Sequence, residues 1–317
     1  MTTRSQHPAS AQPSLSRRSL LALGGLTAAG AVVAAGGAGT AWAETTAPST
    51  TLLGTTGALR RLERETSVTI GVTAVVHGTE RVFRYRGGDR FPMCSLFKVL
   101  AAGALVRARG YDDGYWTRAI PYTDADIVRD SIVLATKQPQ QATPGELADA
   151  ALRFSDNTAG NLLMRELGGP AAITAFAAEL GATATRLDRW EPDLNAAIPG
   201  DLRDTSTPDD IARMYEALLL DDAAGVLASS RLREWMLRNA TSGTRMRAGL
   251  TPPYELADKT GGGDYGVVND AGVLWRPGRT PLTLAIMTRA DRADAVRNDD
   301  VVARATRIVL GDRVLGG

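Results

Sequence analysis

Apolar residues along this chain change their repeat twice. From Ser67 to Val76 every second residue is apolar (Val68, Ile70, Val72, Ala74, Val76), the alternation of a half-buried strand. A His77-Gly78 turn follows, with His77 expected at the surface, and Arg81 to Tyr85 resumes the pattern, so the pair predicts a β-hairpin. Ala58 to Glu65, ahead of it, reads as a helix. From Ser95 to about Trp235 the helical repeat dominates, predicting helices over Lys98–Arg109, Thr143–Phe154, Thr158–Leu167, Pro170–Leu180 and Thr207–Leu220. The last opens on Thr207-Pro208-Asp209-Asp210, a capping residue followed by proline at the first helical position. Strands return over Glu255–Thr260, Gly266–Trp275 and Leu282–Thr288, and Asp294–Leu310 reads as a closing helix.

Strands at both ends with helices between them imply that the ends meet in one sheet. The expected fold is α/β of the α+β kind: an antiparallel sheet flanked by helices, with an all-helical lobe inserted. The α/β lobe would take about residues 57–92 and 244–317, the helical lobe about 93–243, and the cleft between them is where a site is expected.

Residues 1–43 stand apart. They run from a polar head through Ser16-Arg17-Arg18-Ser19-Leu20-Leu21 and an apolar run to about Val33, ending in Ala41-Trp42-Ala43. That order is the head, apolar core and A-x-A cleavage site of an export signal, and the paired arginines resemble a twin-arginine signal. Gly24, Gly25, Gly30, Gly36, Gly37 and Gly39 make it a poor spanning helix. The expectation is a precursor handled by twin-arginine export machinery and cut near Ala43-Glu44. The product would be exported, secreted or held in the periplasmic or cell-wall space, with no membrane anchor. Residues 44–56 would be a linker, and 57–317 the folded domain.

Composition changes little in this picture. The 317 residues are 44% hydrophobic and 22% charged, enough for a large core. The formal charge of +1 loses Arg4, Arg17 and Arg18 and no acid on cleavage before Glu44, leaving −2, so no nucleic-acid partner is expected. Cys94 is the only cysteine, which excludes an intrachain disulfide, and His7 and His77 are the only histidines, too few for a multi-histidine zinc site. No metal or cofactor is expected.

The chemistry-bearing residues begin with Ser95-Leu96-Phe97-Lys98. On a helix this spacing sets a hydroxyl and an amine on one face, roughly 5 to 6 Å apart at Cβ. A serine needs a neighbouring base to become a nucleophile, and a lysine between Phe97 and Val99 has reason to lose its proton. The plainer alternative is a capped helix carrying a snorkelling lysine. Ser155-Asp156-Asn157 follows 60 residues after Ser95, Glu191-Pro192-Asp193-Leu194-Asn195 begins 36 residues after Ser155, and Lys259-Thr260-Gly261 begins 68 residues after Glu191. Taken singly, Ser155 could cap a helix, Asn157 could sit in a turn, and Glu191 could be an exposed loop carboxylate.

Four such motifs in this order resemble a class A serine β-lactamase, of the superfamily that includes the penicillin-binding proteins, over about residues 50–315. The resemblance implies Ser95 as nucleophile, Lys98 as its partner, and the backbone N–H groups of Ser95 and Gly262 as an oxyanion hole. It implies that Ser155 relays a proton to the departing nitrogen, and that Asn157, Lys259, Thr260 and Gly261 bind substrate. Glu191 with Asn195 would activate the water that clears the acyl group. Arg189 and Asp204 stand where they could pair and close an Ω-loop of about 16 residues, and Asn161 is read as structural. Val268 occupies the position where many relatives carry a carboxylate-binding arginine, and Arg247 is taken as its replacement. Asp130 replaces a frequent aromatic at the cleft mouth, and Gly263 stands where some relatives carry the cysteine that would pair with Cys94.

The implied activity is hydrolysis of β-lactam antibiotics, penicillins and cephalosporins, by a metal-independent monomer whose partners are these small molecules. Two alternatives remain: a D-alanyl-D-alanine carboxypeptidase or transpeptidase, and a non-catalytic β-lactam-binding module.

Overall fold

The computed structural model describes residues 50–110, 112–312 and 315. The export signal, its cleavage point and residues 44–49 of the linker lie outside the described residues. Helix α1 (Thr50–Thr66) leads into β1 (Thr69–Val76), β2 (Val82–Tyr85) and the short β3 (Phe91–Pro92). A 3-10 turn, Cys94–Leu96, runs directly into α2 (Phe97–Arg109). Helix α3 (Asp113–Thr117), the two-residue strands β4 (Ile120–Pro121) and β5 (Gln141–Ala142), and helices α4 (Pro144–Arg153), α5 (Asn157–Leu167) and α6 (Pro170–Glu179) come next. After β6 (Thr205–Ser206) the chain forms α7 (Pro208–Leu219) and α8 (Val226–Leu237). It closes with β7 (Glu255–Gly262), β8 (Val268–Trp275), β9 (Leu282–Arg289) and α9 (Asp300–Leu310).

The main sheet has the order β2-β1-β9-β8-β7, with every neighbouring pair antiparallel. The two ends of the sequence do meet: β1 pairs with β9 from Thr69↔Arg289 to Val76↔Leu282. This is the antiparallel sheet flanked by helices expected from the apolar pattern.

Each face of the sheet has its own core. On one face Leu59 and Leu62 of α1 and Val301, Val302, Ala305 and Val309 of α9 pack on Ile70, Val72, Leu284 and Ile286. On the other, Ala257, Ala271, Val273, Ala285 and Met287 join a larger core with α2, α7 and the remaining helices. Helix α2 is buried on all sides from Phe97 to Val106, which its Ala- and Gly-rich sequence permits by letting neighbouring helices approach closely. A lysine lies inside that buried run. Among the described residues no helix is long and apolar enough to cross a membrane.

Three boundaries differ from expectation. Residues 50–56 are helix and not linker, because α1 packs along α9 and the Thr55 hydroxyl donates to Asp312 Oδ2 at 2.6 Å. The closing helix begins at Asp300 and not at Asp294, because Asn298 and Asp299 turn their side chains to other partners: the Asp300 N–H, Thr244 and Arg245. Strand β8 begins at Val268, since Gly266 takes a left-handed φ of +67° in the turn before it.

Candidate active site

The chain reaches Ser95 through a strained turn. Cys94 has φ +48°, a left-handed conformation uncommon for a residue with a side chain. Tertiary bonds fix it there: Met93 N donates to Asp204 O at 2.8 Å, Asn269 Nδ2 to Pro92 O at 2.9 Å, and Tyr215 OH to Leu96 O at 3.0 Å. The Cys94 side chain is wholly buried and unbridged. Burial, reinforced by the negative charge of Glu191, pushes its thiol up to about 12.

Lys98, the second residue of α2, is fully buried with its Nζ among four oxygens. Asn157 Oδ1 lies at 2.7 Å, Ser155 O at 2.8 Å, Ser95 Oγ at 3.0 Å and Glu191 Oε1 at 3.1 Å. Gly160 of α5 makes this seat possible, since a Cβ there would sit 2.7 Å from Lys98 Cε. Helix α5 is capped by Asp156 and not Ser155: Asp156 Oδ1 accepts from Ala159 N at 2.9 Å, while Oδ2 accepts from Val133 N and Leu134 N. Ser155, at φ +60°, is therefore left to face Lys259, whose Nζ donates to its hydroxyl at 3.0 Å.

Glu191 approaches from the loop between α6 and β6. Its side chain is buried, with Oε1 3.5 Å from Ser95 Oγ and Oε2 accepting from Asn195 Nδ2. The backbone of Glu191 is tied to α5 in both directions: Asn161 Nδ2 donates to its carbonyl and Asn161 Oδ1 accepts its N–H, each at 2.9 Å. Arg189 and Asp204 meet at 2.5 Å across the loop ends, and buried Asp204 also accepts from Asp188 N and Arg189 N.

The opposite wall is β7. Lys259 is fully buried; burial first, then the neighbouring charge of Lys98, hold its ammonium well below the usual lysine range. Thr260 Oγ1 meets Thr241 Oγ1 at 2.5 Å, and Thr260, Gly261 and Gly262 line a cleft of about 250 Å³ with Ser95, Ser155, Asn157 and Asn195. Asp130, with φ +60°, and Ile132 stand at the helical side of that cleft.

Arg247 is not in the cleft, contrary to its expected role. Its guanidinium is spent on Asp258 Oδ1 (2.7 Å), Leu256 O and the Ser242 hydroxyl. Arg245, two residues earlier, lines the cleft instead, held by Asp299 at 2.8 Å and by the carbonyls of Gly261 and Asn269. A 3-10 turn begins at Met246, so Arg245 before it and Arg247 within it point to different sides, where Asp299 and Asp258 respectively hold them. Behind β7, Asp258 and Asp270 are both buried. Burial, and then the Asp258 charge, raise Asp270 well above the usual carboxylate range. Burial raises Asp258 as well, opposed by its contacts with Arg247 and Asn239 Nδ2.

These distances bring the four motifs together around one cleft. The profile described as the beta-lactamase enzyme family matches residues 55–312. The chain belongs to the beta-lactamase enzyme family. It is 45% identical over 257 residues to a beta-lactamase of Streptomyces albus G, covering 79% of this chain and 82% of that protein. It is 44% identical over 249 residues to beta-lactamase AST-1 of Nocardia asteroides, covering 78% and 80%. A beta-lactamase crystal structure from Burkholderia phymatum superposes with a TM-score of 0.80 at 37% identity, over 83% of this chain and 99% of that one. Family membership makes this chain a hydrolase with a serine-based site, and it accounts for the α+β frame in which the cleft is set.

Two outcomes follow from the packing behind the cleft. Gly160→Ala displaces Lys98 by its added methyl and lowers hydrolytic turnover by roughly a hundredfold, the scale of a misplaced catalytic group, while the thermal midpoint changes little; steady-state rates and melting curves together check this. Asp270, with its folded pKa raised, contributes stability that is complete below its usual value of about 4 and is lost as pH rises through the folded value. Unfolding curves across pH should therefore show the native chain losing stability relative to Asp270→Asn as pH increases, and the opposite slope would contradict a raised pKa at Asp270.

Proposed function

We propose that this chain hydrolyses β-lactams, penicillins and cephalosporins, in the manner of class A enzymes, by acylation at Ser95 and water-driven release through Glu191. The Ser95 hydroxyl has two proton acceptors within reach, Lys98 Nζ at 3.0 Å and Glu191 Oε1 at 3.5 Å. As its oxygen attacks the lactam carbonyl, the developing oxyanion falls to the N–H groups of Ser95 and Gly262. The lactam nitrogen takes its proton from Ser155, and Lys259 Nζ, donating to the Ser155 hydroxyl at 3.0 Å, stabilises the oxygen left behind. Asn157 and β7 hold the acylamino side chain, and Thr260 with Arg245 takes the ring carboxylate, the role expected at first of Arg247.

The observation that carries this reading is the buried carboxylate of Glu191 beside the nucleophile, oriented by Asn195 and by the two-way bond from Asn161. An acyl-serine is a stable ester without such a group, so Glu191 separates a hydrolase from a protein that is merely labelled. We also propose that residues 1–43 direct export and that the helical and α/β lobes, about 93–243 and the remainder of 57–317, close on the substrate from two sides.

Intact-mass spectrometry with benzylpenicillin tests the mechanism. The native chain should carry a transient adduct, Glu191→Ala a trapped one and Ser95→Ala none. A persistent adduct on the native chain would instead indicate a peptidase or a binding module. For export, N-terminal sequencing of the released product should begin at Glu44, and replacing Arg17 and Arg18 by lysine should hold the precursor inside the cell; export that ignores the arginines would remove the twin-arginine assignment.

A further inference from the structure

Asn269 of β8 is fully buried and ties together the two segments that would supply the oxyanion hole. It stands opposite Gly261 in the pairing of β7 with β8, beside the Gly262↔Val268 pair. Its Nδ2 donates to the Pro92 carbonyl at 2.9 Å and reaches that of Met93 at 3.4 Å, while its Oδ1 accepts the Thr288 N–H of β9 at 2.9 Å. Backbone acceptors on one side and a backbone donor on the other allow the amide a single orientation.

The carbonyls it grips lead directly into the nucleophile. Met93 O also accepts from Leu96 N at 3.3 Å, closing the turn that contains Ser95, and within that turn Cys94 holds its left-handed φ of +48°. The bridge can form because Gly261 has no side chain: a Cβ there would lie 3.0 Å from Met93 O, 3.2 Å from Asn269 Nδ2 and 3.3 Å from Cys94 Cβ. Arg245 adds a second tie within the strand pair, its Nη1 donating to Gly261 O at 2.6 Å and to Asn269 O at 3.0 Å. The Ser95 and Gly262 amides come from distant parts of the chain, and Asn269 spans the gap between those parts.

We propose that Asn269 is a positioning residue, which sets the separation of the two oxyanion-hole amides by fastening the Ser95 turn to strands β7 and β8. The inference rests on the hydrolytic reading of the cleft and deepens it. Asn269 does not line the cleft, so it acts through the backbone groups that do. Such donors must be in place before the charge develops, to within about 0.5 Å, and a turn released from its anchor loses that placement.

Asn269→Asp tests this, since it keeps the size and the acceptor but gives up both N–H donors. The readout is the infrared carbonyl band of the acyl-enzyme ester, formed with benzylpenicillin in a Glu191→Ala background, which two donated hydrogen bonds pull to low frequency. Asn269→Asp should move that band up toward its position in the denatured acyl-enzyme. With Glu191 present, kcat should fall by about tenfold to a hundredfold, less than the loss of a whole donor. KM should stay within about twofold, because acylation and deacylation both pass through an oxyanion and slow together.

Thr306→Val, which deletes a buried hydroxyl bond to Val302 O in α9, should leave band and kcat unchanged. If Asn269→Asp does not accumulate as folded protein, Gly261→Ala presses on the same joint and should shift the band the same way. A band unmoved in either of these variants, or moved as far by Thr306→Val, overturns the assignment. An acyl band missing from the Glu191→Ala chain, or no lower than in its denatured form, would overturn the hydrolytic reading and this one together, whereas a low band indifferent to residue 269 overturns this one alone.

Discussion

The site is organised by one buried lysine nitrogen. Lys98 sits inside the buried apolar run of α2, and a polar group taken that far from water is tolerated only where oxygens replace its hydration. Its four oxygen neighbours come from different segments: the nucleophile's own turn, the Ser155 backbone, the Asn157 side chain and the loop that carries Glu191. Satisfying Lys98 therefore brings the reactive parts of the site to within about a hydrogen bond of each other. Removing any one neighbour leaves a buried polar group short of a partner, so the arrangement is cooperative in the sense that its members cannot be displaced singly.

The remaining charges extend the same logic outward. Lys259 is buried against Ser155, and Asp258 and Asp270 lie behind it, one facing Arg247 and one raised well above the usual carboxylate range by burial. Acids and bases are thus interleaved in layers from the back of β7 to the lip of the cleft, where Arg245 and Arg297 face open space. Backbone strain is placed along the same line: Cys94, Asp130 and Ser155 all have left-handed φ values, and each borders the cleft or precedes a cleft residue. The packing that surrounds them, two cores on the two faces of one antiparallel sheet, supplies the rigidity that holds such conformations.

Much of this was legible in the residues. The period-two runs and the long helical middle fixed the sheet, its meeting of chain ends and the intervening helices, because those patterns report burial directly. The four motifs were readable because serine, lysine, glutamate and asparagine have few reasons to recur in that order. What could not be read depended on tertiary partners. Arg245 and Arg247 are chemically identical and two positions apart, and the acids that separate them lie 54 and 11 residues away. Helix α1 extends through a threonine-rich stretch only because α9 lies beside it. Gly160 and Asn269 carry no motif; the i+3 spacing of Gly160 from Asn157 on one helix face was the available hint for the first, and the second had none.

The wholly enclosed thiol of Cys94 has a consequence for its reactivity. A pKa pushed to about 12 leaves on the order of one molecule in 10⁵ as the reactive anion at neutral pH, and that anion would still have to be reached through packed side chains. An unpaired sulfur set next to the nucleophile is therefore shielded from capping and from cross-linking to a second copy.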